Sequence, residues 1–324
     1  MSLQPLGPYT SPPFVWIWDF HNVLLVIKLG LEVILTFSGN CSAYCRSLIG
    51  EASYGKTVGK NNSIVVGGFL PKVNPKLAWV LMESPTIFLS IIFYFFVGGD
   101  EIQGYELPKY RFNPVPLVLF SLYELHYIHR TLVMPCFLKT GGGNAKGVSL
   151  MVVIQSFAFV SINSYLIMNF ISDRGYYPTT WFYDPRFILG VIIYFVGFYV
   201  NRRCDYILHQ LRAESDNNKN AQVGDDEAST PVETNQDIYV HPITKKVYRI
   251  PHGNMFEYTT AANYTGELII WFGYALASWS LETLSFALLT FGFLGVRAKV
   301  YHQWYLEHFP NYPKNRTALI PFLY

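Results

Sequence analysis

The sequence predicts an all-α, polytopic membrane protein with seven transmembrane helices and no Rossmann domain. Three observations carry that prediction. Of 324 residues, 51% are hydrophobic and only 14% are charged, against about 25% charged in an ordinary globular domain. Mean hydropathy is +0.21, and the apolar residues gather into stretches near the ~20 residues a bilayer crossing takes. Lys and Arg are divided unevenly between alternate connecting segments, as the positive-inside rule describes for a multi-pass chain. The composition excludes a soluble enzyme, a disordered chain and a disulfide-dense secreted domain. A net charge of +2 supplies no strong field to draw nucleic acid.

The first apolar stretch covers residues 14–37 and contains Asp19, His21, Lys28 and Glu32. Neither a basic n-region nor a small-residue cleavage site precedes it, so it reads as a helix and not a cleaved signal peptide. Residues 1–40 form an N-terminal segment with this helix, and residues 41–324 form the membrane domain. Further spans are expected at 77–97, 114–138, 147–171 and, shorter, 185–200. Residues 265–296 are apolar for 32 residues, long for one span and short for two. Charge decides between those alternatives. With the N-terminus outside, a hairpin over 265–296 places 18 Lys and Arg on the cytosolic side and 4 opposite; a single span gives 14 and 8. The hairpin is favoured, with its turn near Ser280–Glu282 and a cytosolic C-terminus. Residues 213–237 carry seven acidic residues, one lysine and no aromatic, too little apolar surface to order a fold, and are expected to be a disordered cytosolic insertion.

Ionisable residues inside spans are costly and usually functional. Glu83 lies in Trp79-Val80-Leu81-Met82-Glu83-Ser84-Pro85, where Pro85 should kink the helix. A carboxyl in such apolar surroundings is expected to stay protonated and to donate a hydrogen bond to a carbonyl. The 114–138 span holds Glu124, His126, Tyr127, His129 and Arg130. Tyr127 and Arg130, three apart, should share a helix face, and a phenol facing Glu83 would complete a two-donor site for a substrate oxygen. His126 and His129 have no third ligand in view, and the four cysteines show no zinc spacing: Cys41 and Cys45 are four apart, and Cys136 and Cys204 are isolated. No metal is expected.

On the cytosolic side, Asn201, Asp205 and Arg212 fall on one helical face, followed by Arg249, Asn263, Glu267, Arg297, His302, Tyr305 and Arg316. Arginines interleaved with Asn, Asp and Glu suit an anionic ligand bearing ribose and phosphates. Positive-inside topology alone would account for the arginines but not for the other members. A Gly-x-Gly-x-x-Gly fingerprint after a strand is absent.

Several strings taken together resemble the steroid 5α-reductase family. They are Tyr54-Gly55-Lys56, Ala78 to Pro85, Leu125 to Thr131, Asn201 to Arg212, Tyr248 to Gly253, Asn263 to Glu267, Ala275 to Ser280, Tyr312 to Arg316 and Ala318 to Phe322. The Met82-Glu83-Ser84-Pro85 form looks like the plant-type members. The resemblance implies a seven-helix membrane oxidoreductase of the endoplasmic reticulum that takes hydride from NADPH. It implies that Glu83 and Tyr127 contact the 3-oxo group of a Δ4-3-oxosteroid while hydride reaches C5 and a proton reaches C4, giving the 5α product. It further implies that Tyr54, Trp79, Arg130, Asn201, Asp205, Arg212, Arg249, Asn263, Glu267, Arg297, His302, Tyr305 and Arg316 hold NADPH. Tyr301-His302 stands where the family often shows a His-His pair, and Met134 and Leu138 replace polar groups of some relatives. Two other functions compete. One is a sibling reductase of a long-chain lipid, an enoyl thioester or a polyprenol. The other is a non-catalytic transporter or scaffold, which predicts no NADPH binding. Membrane lipids are partners under every reading.

Overall fold

Proline fixes where several of the helices begin. A computed structural model describes residues 71–97, 112–137, 147–222, 237–240 and 247–324, with Leu24 and Ile27. The expected first span and Tyr54 otherwise lie outside the described residues. Asn74 caps helix α1 (Pro75–Glu83): its side-chain oxygen accepts from the Lys76 N–H at 2.9 Å, with Pro75 at the first helical position, where the missing N–H costs nothing. Pro85 opens α2 (Pro85–Phe95). The expected break is confined to one residue, Ser84, which keeps right-handed helical backbone angles and whose N–H still donates to Val80 O at 2.8 Å. Pro114 opens α3 (Pro114–Ile128), which passes into a π-helical turn, His129–Val133, and the short α4 (Met134–Phe137).

Strand β1 (Lys72–Val73) pairs antiparallel with β2 (Val148–Ser149), which leads into α5 (Leu150–Asn169) and a second π turn, Phe170–Arg174. Pro185 opens α6 (Pro185–Gln222). This helix runs well past the expected end at 200, so residues 213–222 of the expected disordered insertion are helical. Ala213 and Glu214 are good helix formers, and Glu214 is tied to Arg249 at 3.1 Å; residues 223–236 lie outside the described residues. Strands β3 (Ile238–Val240) and β4 (Val247–Arg249) form a hairpin with Tyr239 opposite Tyr248. Among the described residues the fold is therefore mainly helical with two small strand pairings, not purely α.

The long apolar stretch divides into α7 (Ala262–Ser278) and α8 (Leu281–His308). The break falls at Trp279–Ser280, beside the expected turn, and Trp279 takes a left-handed φ of 47°. Ser280 and Thr283 close the turn: Thr283 N–H donates to Ser280 Oγ at 3.2 Å. Among the described residues four helices are long and apolar enough to cross a membrane: Pro75–Phe95, Leu150–Arg174, Pro185–Glu214 and Leu281–His308. The α3–α4 stretch is interrupted by its π turn, and α7 has 17 residues.

The chain separates into two compact units. The first includes residues 60–194 and 271–290; the second includes 195–270 and 291–324. In the first, buried phenols end on helix carbonyls: Tyr194 OH donates to Leu122 O at 2.6 Å, Tyr274 OH to Leu119 O at 3.0 Å and Tyr177 OH to Ser278 O at 2.6 Å. Each ring buries apolar area while its hydroxyl keeps a partner, which a membrane interior demands. Arg186 is clamped over the rings of Trp181 and Trp279, at 4.5 and 4.8 Å. Its guanidinium also bonds Asp184 at 2.7 Å. That hydrogen bond holds the Asp184 carboxyl down at about 2, so the pair is ionised at neutral pH.

In the second unit Tyr305, Phe309, Tyr312, Trp304 and Ile250 form a buried cluster against Tyr239 and Tyr248 of the hairpin. The residues after α8 return to the start of α7, where Thr260 N–H donates to Thr317 O at 2.9 Å and Ala261 N–H to Ala318 O at 3.1 Å. Burial pushes the Tyr312 phenol above its ordinary value, which keeps it a neutral donor and acceptor within this network.

Helices α6 and α7 approach through glycine. In the first unit Gly190 lies on the Ala277 backbone, and in the second Gly266 lies on Asn201. A Cβ at Gly266 would sit 2.4 Å from the Asn201 nitrogen. Backbone cannot yield as a flexible side chain does, so Gly266→Ala is expected to cost about 1–3 kcal/mol. Thermal unfolding in detergent measures this; an unchanged midpoint would show that the two helices can part cheaply.

Candidate active site

Helix α1 ends on Glu83, and the π turn begins beside Arg130; their side chains meet. Arg130 Nε donates to Glu83 Oε1 at 3.0 Å, and the Glu83 side chain is 13% exposed. The Arg130 guanidinium lies 5.1 Å from the centre of the Trp79 ring, and Trp79 Nε1 donates to the Arg130 carbonyl at 3.0 Å. Three of the residues singled out in the sequence thus form one contact set. The surroundings of Glu83 differ from the apolar pocket expected, because a guanidinium lies against it.

Tyr127 is buried, 3% exposed. Its ring packs on Tyr123 at 4.6 Å, His126 at 5.1 Å and Trp271 of α7 at 5.6 Å. Arg130 thus reaches α1 while Tyr127 reaches α7. The face expected for the two by α-helical spacing is altered because the π turn begins between them. His126 lies edge-on to Trp271 at 4.9 Å, and no metal-sized cluster of His, Cys, Asp and Glu occurs among the described residues.

In the second unit the spacing on α6 brings Asn201 and Asp205 together against α7, while Arg212 is outside these contacts. Asn201 Nδ2 donates to Asn263 O at 2.8 Å and to Glu267 Oε2 at 3.2 Å, while Asn263 Nδ2 donates to Asp205 Oδ1 at 3.1 Å. These four expected residues are one hydrogen-bonded set. Asn201 is 4% exposed, and its Oδ1 has no hydrogen-bond partner among the described residues. A buried acceptor is costly to leave unmade, so this edge of the set fits a ligand donor such as a ribose hydroxyl.

The remaining members are placed differently. Arg249 pairs with Glu214, and Tyr305 OH reaches Arg249 O at 3.5 Å. Arg212 is exposed and acts electrostatically on the Tyr305 phenol. Arg297 lies 5.9 Å from the Tyr264 ring centre and donates to Tyr301 OH at 3.4 Å. His302 Nδ1 shares a 2.6 Å hydrogen bond with Thr260 Oγ1. Arg316 is turned inward, on Pro251 O at 2.9 Å and Glu257 at 3.5 Å.

The sequence reading passed over Tyr123, Ser164 and Glu124 as site members. Tyr123 precedes Tyr127 by four residues, which places both on one face of α3; that spacing was the available signal. Glu124 is buried against Ser90 of α2. A cavity of about 370 Å3, lined by Arg203, Ile207, Glu214, Ile250, His252 and Asn254, also went unforeseen.

The family model described as 3-oxo-5-alpha-steroid 4-dehydrogenase matches residues 146–224 and 234–324. The chain is similar to 3-oxo-5-alpha-steroid 4-dehydrogenase 1 of Macaca fascicularis, 34% identical over 88% of this chain and 89% of that protein. It is likewise similar to the enzyme of that name from Homo sapiens, at 34% over 87% and 94%. A third relative, 3-oxo-5-alpha-steroid 4-dehydrogenase 2 of Mus musculus, is 34% identical over 84% and 88%.

Proposed function

The chain belongs to the 3-oxo-5-alpha-steroid 4-dehydrogenase family, an oxidoreductase family, and from that premise we propose that it reduces a Δ4-3-oxosteroid to the 5α product with NADPH. The observation that carries this reading is that two sets of the expected residues are each knit by direct contacts. They are Trp79–Glu83–Arg130 and Asn201–Asp205–Asn263–Glu267.

Bound NADPH supplies the hydride that C5 of the enone receives. The protein's part is to stabilise the negative charge that then grows on the 3-oxo oxygen. Preorganised donors in a dry site do this without reorganising. Tyr127 donates its phenolic hydrogen to that oxygen. Glu83 Oε1 is engaged by Arg130; Oε2 is the atom that would take up a proton as the steroid binds and donate it as a second hydrogen bond to the same oxygen. The enol so formed becomes the ketone when a proton reaches C4 and the oxygen returns its hydrogen to the donor that supplied it. In the second unit, Asn201 and Glu267 accept from ribose hydroxyls, with Asp205 and Asn263 fixing their orientation. Arg212, Arg249 and Arg297 meet phosphate. Trp79, Arg130, His302, Tyr305 and, outside the described residues, Tyr54 complete the proposed cofactor set; Arg316 is assigned to it on resemblance alone. A seven-helix, multi-pass topology in the endoplasmic reticulum membrane with a cytosolic C-terminus belongs to the same proposal.

NADPH consumption by membranes containing the protein tests the reading, with a Δ4-3-oxosteroid and, separately, a trans-2-enoyl-CoA. Steroid-dependent oxidation is expected. Oxidation with the enoyl-CoA alone would move the substrate to a fatty-acyl thioester. Arg212→Ala is expected to weaken NADPH binding about tenfold, the worth of one charge-assisted contact, with kcat at saturating NADPH little changed. An unchanged affinity would make Arg212 a topological charge only.

A further inference from the structure

Behind Tyr127 lies a second buried phenol that the reaction as described does not use. Tyr123 and Ser164 are 0% exposed. Tyr123 OH and Ser164 Oγ, the latter on α5, are 2.9 Å apart. Tyr127 lies one helical turn further along α3, with its ring centre 4.6 Å from that of Tyr123, so the two phenols lie side by side. A hydroxyl pair from α3 and α5 thus lies directly against the proposed donor to the substrate.

Counting hydrogens gives the chain a direction. Each hydroxyl has one hydrogen to donate and two lone pairs to accept with. If Tyr127 spends its hydrogen on the 3-oxo oxygen, its own oxygen is left to accept, and Tyr123 is the phenol beside it. The Tyr123 hydrogen is then committed, so Tyr123 must accept from Ser164. The order is Ser164 to Tyr123 to Tyr127 to substrate. Hydroxyls aligned this way polarise one another, strengthening each bond by roughly 10–30%. The gain grows as charge builds on the substrate oxygen, so it acts on the transition state more than on the bound substrate.

We propose that Tyr123, oriented by Ser164, is a positioning residue that holds Tyr127 in its donating rotamer and strengthens its hydrogen bond to the reacting carbonyl. This inference rests on the role assigned to Tyr127 above. Tyr123→Phe deletes one oxygen and keeps the ring that packs on Trp271 and Tyr274. It is expected to lower kcat about five- to tenfold, the worth of one neutral hydrogen bond, with KM and NADPH affinity within twofold. Ser164→Ala should lower kcat in the same direction, and Ser164→Thr, which restores a hydroxyl, should recover most of it.

A double-mutant cycle separates this role from simple packing. In a Tyr127→Phe background, Tyr123→Phe should cause no further loss, because the group it positions is gone. A Tyr123→Phe enzyme within twofold of wild type would overturn the inference while leaving Tyr127 in place. So would an additive double variant, or a loss explained by a parallel fall in unfolding temperature. If Tyr127→Phe alone is without effect, or the wild type does not turn over the steroid, the reading of the site fails first and this inference with it.

Discussion

Glu83→Gln is expected to lower kcat toward a Δ4-3-oxosteroid by about 10²-fold, the usual worth of a positioned acid or oxyanion donor. The structure makes this substitution clean. The glutamine carbonyl can still accept from Arg130 Nε, now 3.0 Å from Oε1, so the contact with Arg130 and Trp79 should survive. What is lost is an acidic hydrogen, since an amide N–H is a poorer donor to a developing oxyanion. NADPH affinity should stay within a few-fold, measured by quenching of tryptophan fluorescence. Turnover at wild-type level would remove Glu83 from the chemistry and leave it a partner that fixes Arg130. A large loss of NADPH affinity without a change in kcat would assign it to the cofactor through Arg130.

Arg316→Ala is expected to have the largest effect on stability. The side chain is 1% exposed. It donates to Pro251 O at 2.9 Å, meets His252 Nδ1 at 3.2 Å and Glu257 at 3.5 Å, and lies 5.5 Å from the Tyr312 ring centre. Removing it strands a buried carbonyl and opens a cavity, which together should cost about 3 kcal/mol, or roughly 5 °C in midpoint. Glu257 is half-exposed, so its ionic contribution is small. Arg316→Lys should not rescue, because the ammonium lacks the planar fork that reaches two acceptors on one side. Thermal unfolding of the detergent-solubilised protein reads this. A variant with normal stability and weakened NADPH binding would return Arg316 to the cofactor set, where the resemblance places it.

The particular residues show what a sequence of this kind discloses. Pro85 and the same-face spacing of Asn201 and Asp205 are local facts, set by backbone chemistry and helical period, and they were legible; the turn at Ser280 was legible from the distribution of Lys and Arg along the chain. The end of α6 was not. Hydropathy falls after Val200, but helix formation does not depend on hydropathy, and the helix continues on propensity and on the Glu214–Arg249 pair. The short strands around Tyr239 and Tyr248 were missed because three residues give no alternation to read. The pairing of Glu83 with Arg130 spans 47 positions, and only packing could bring them together. Tyr123 was readable from its spacing to Tyr127, but its meaning needed Ser164, which belongs to another helix.

The π turn at His129–Val133 is in effect an α-helical turn holding one residue too many. Each α-helical residue advances about 100° around the axis. Positions after the turn are therefore out of phase by about one step with the frame set by residues 114–128. A one-residue deletion inside 131–133 should be absorbed by relaxation to ordinary α geometry, with no loop formed and no rupture of the helix, though it would turn Arg130 back from Glu83. The same deletion at 118–122 would rotate Tyr123, Tyr127 and the contacts of Trp271 away from their partners. This helix thus contains one site of tolerated length change, placed directly after its most constrained residues. An alignment that keeps helical phase should open its gap there.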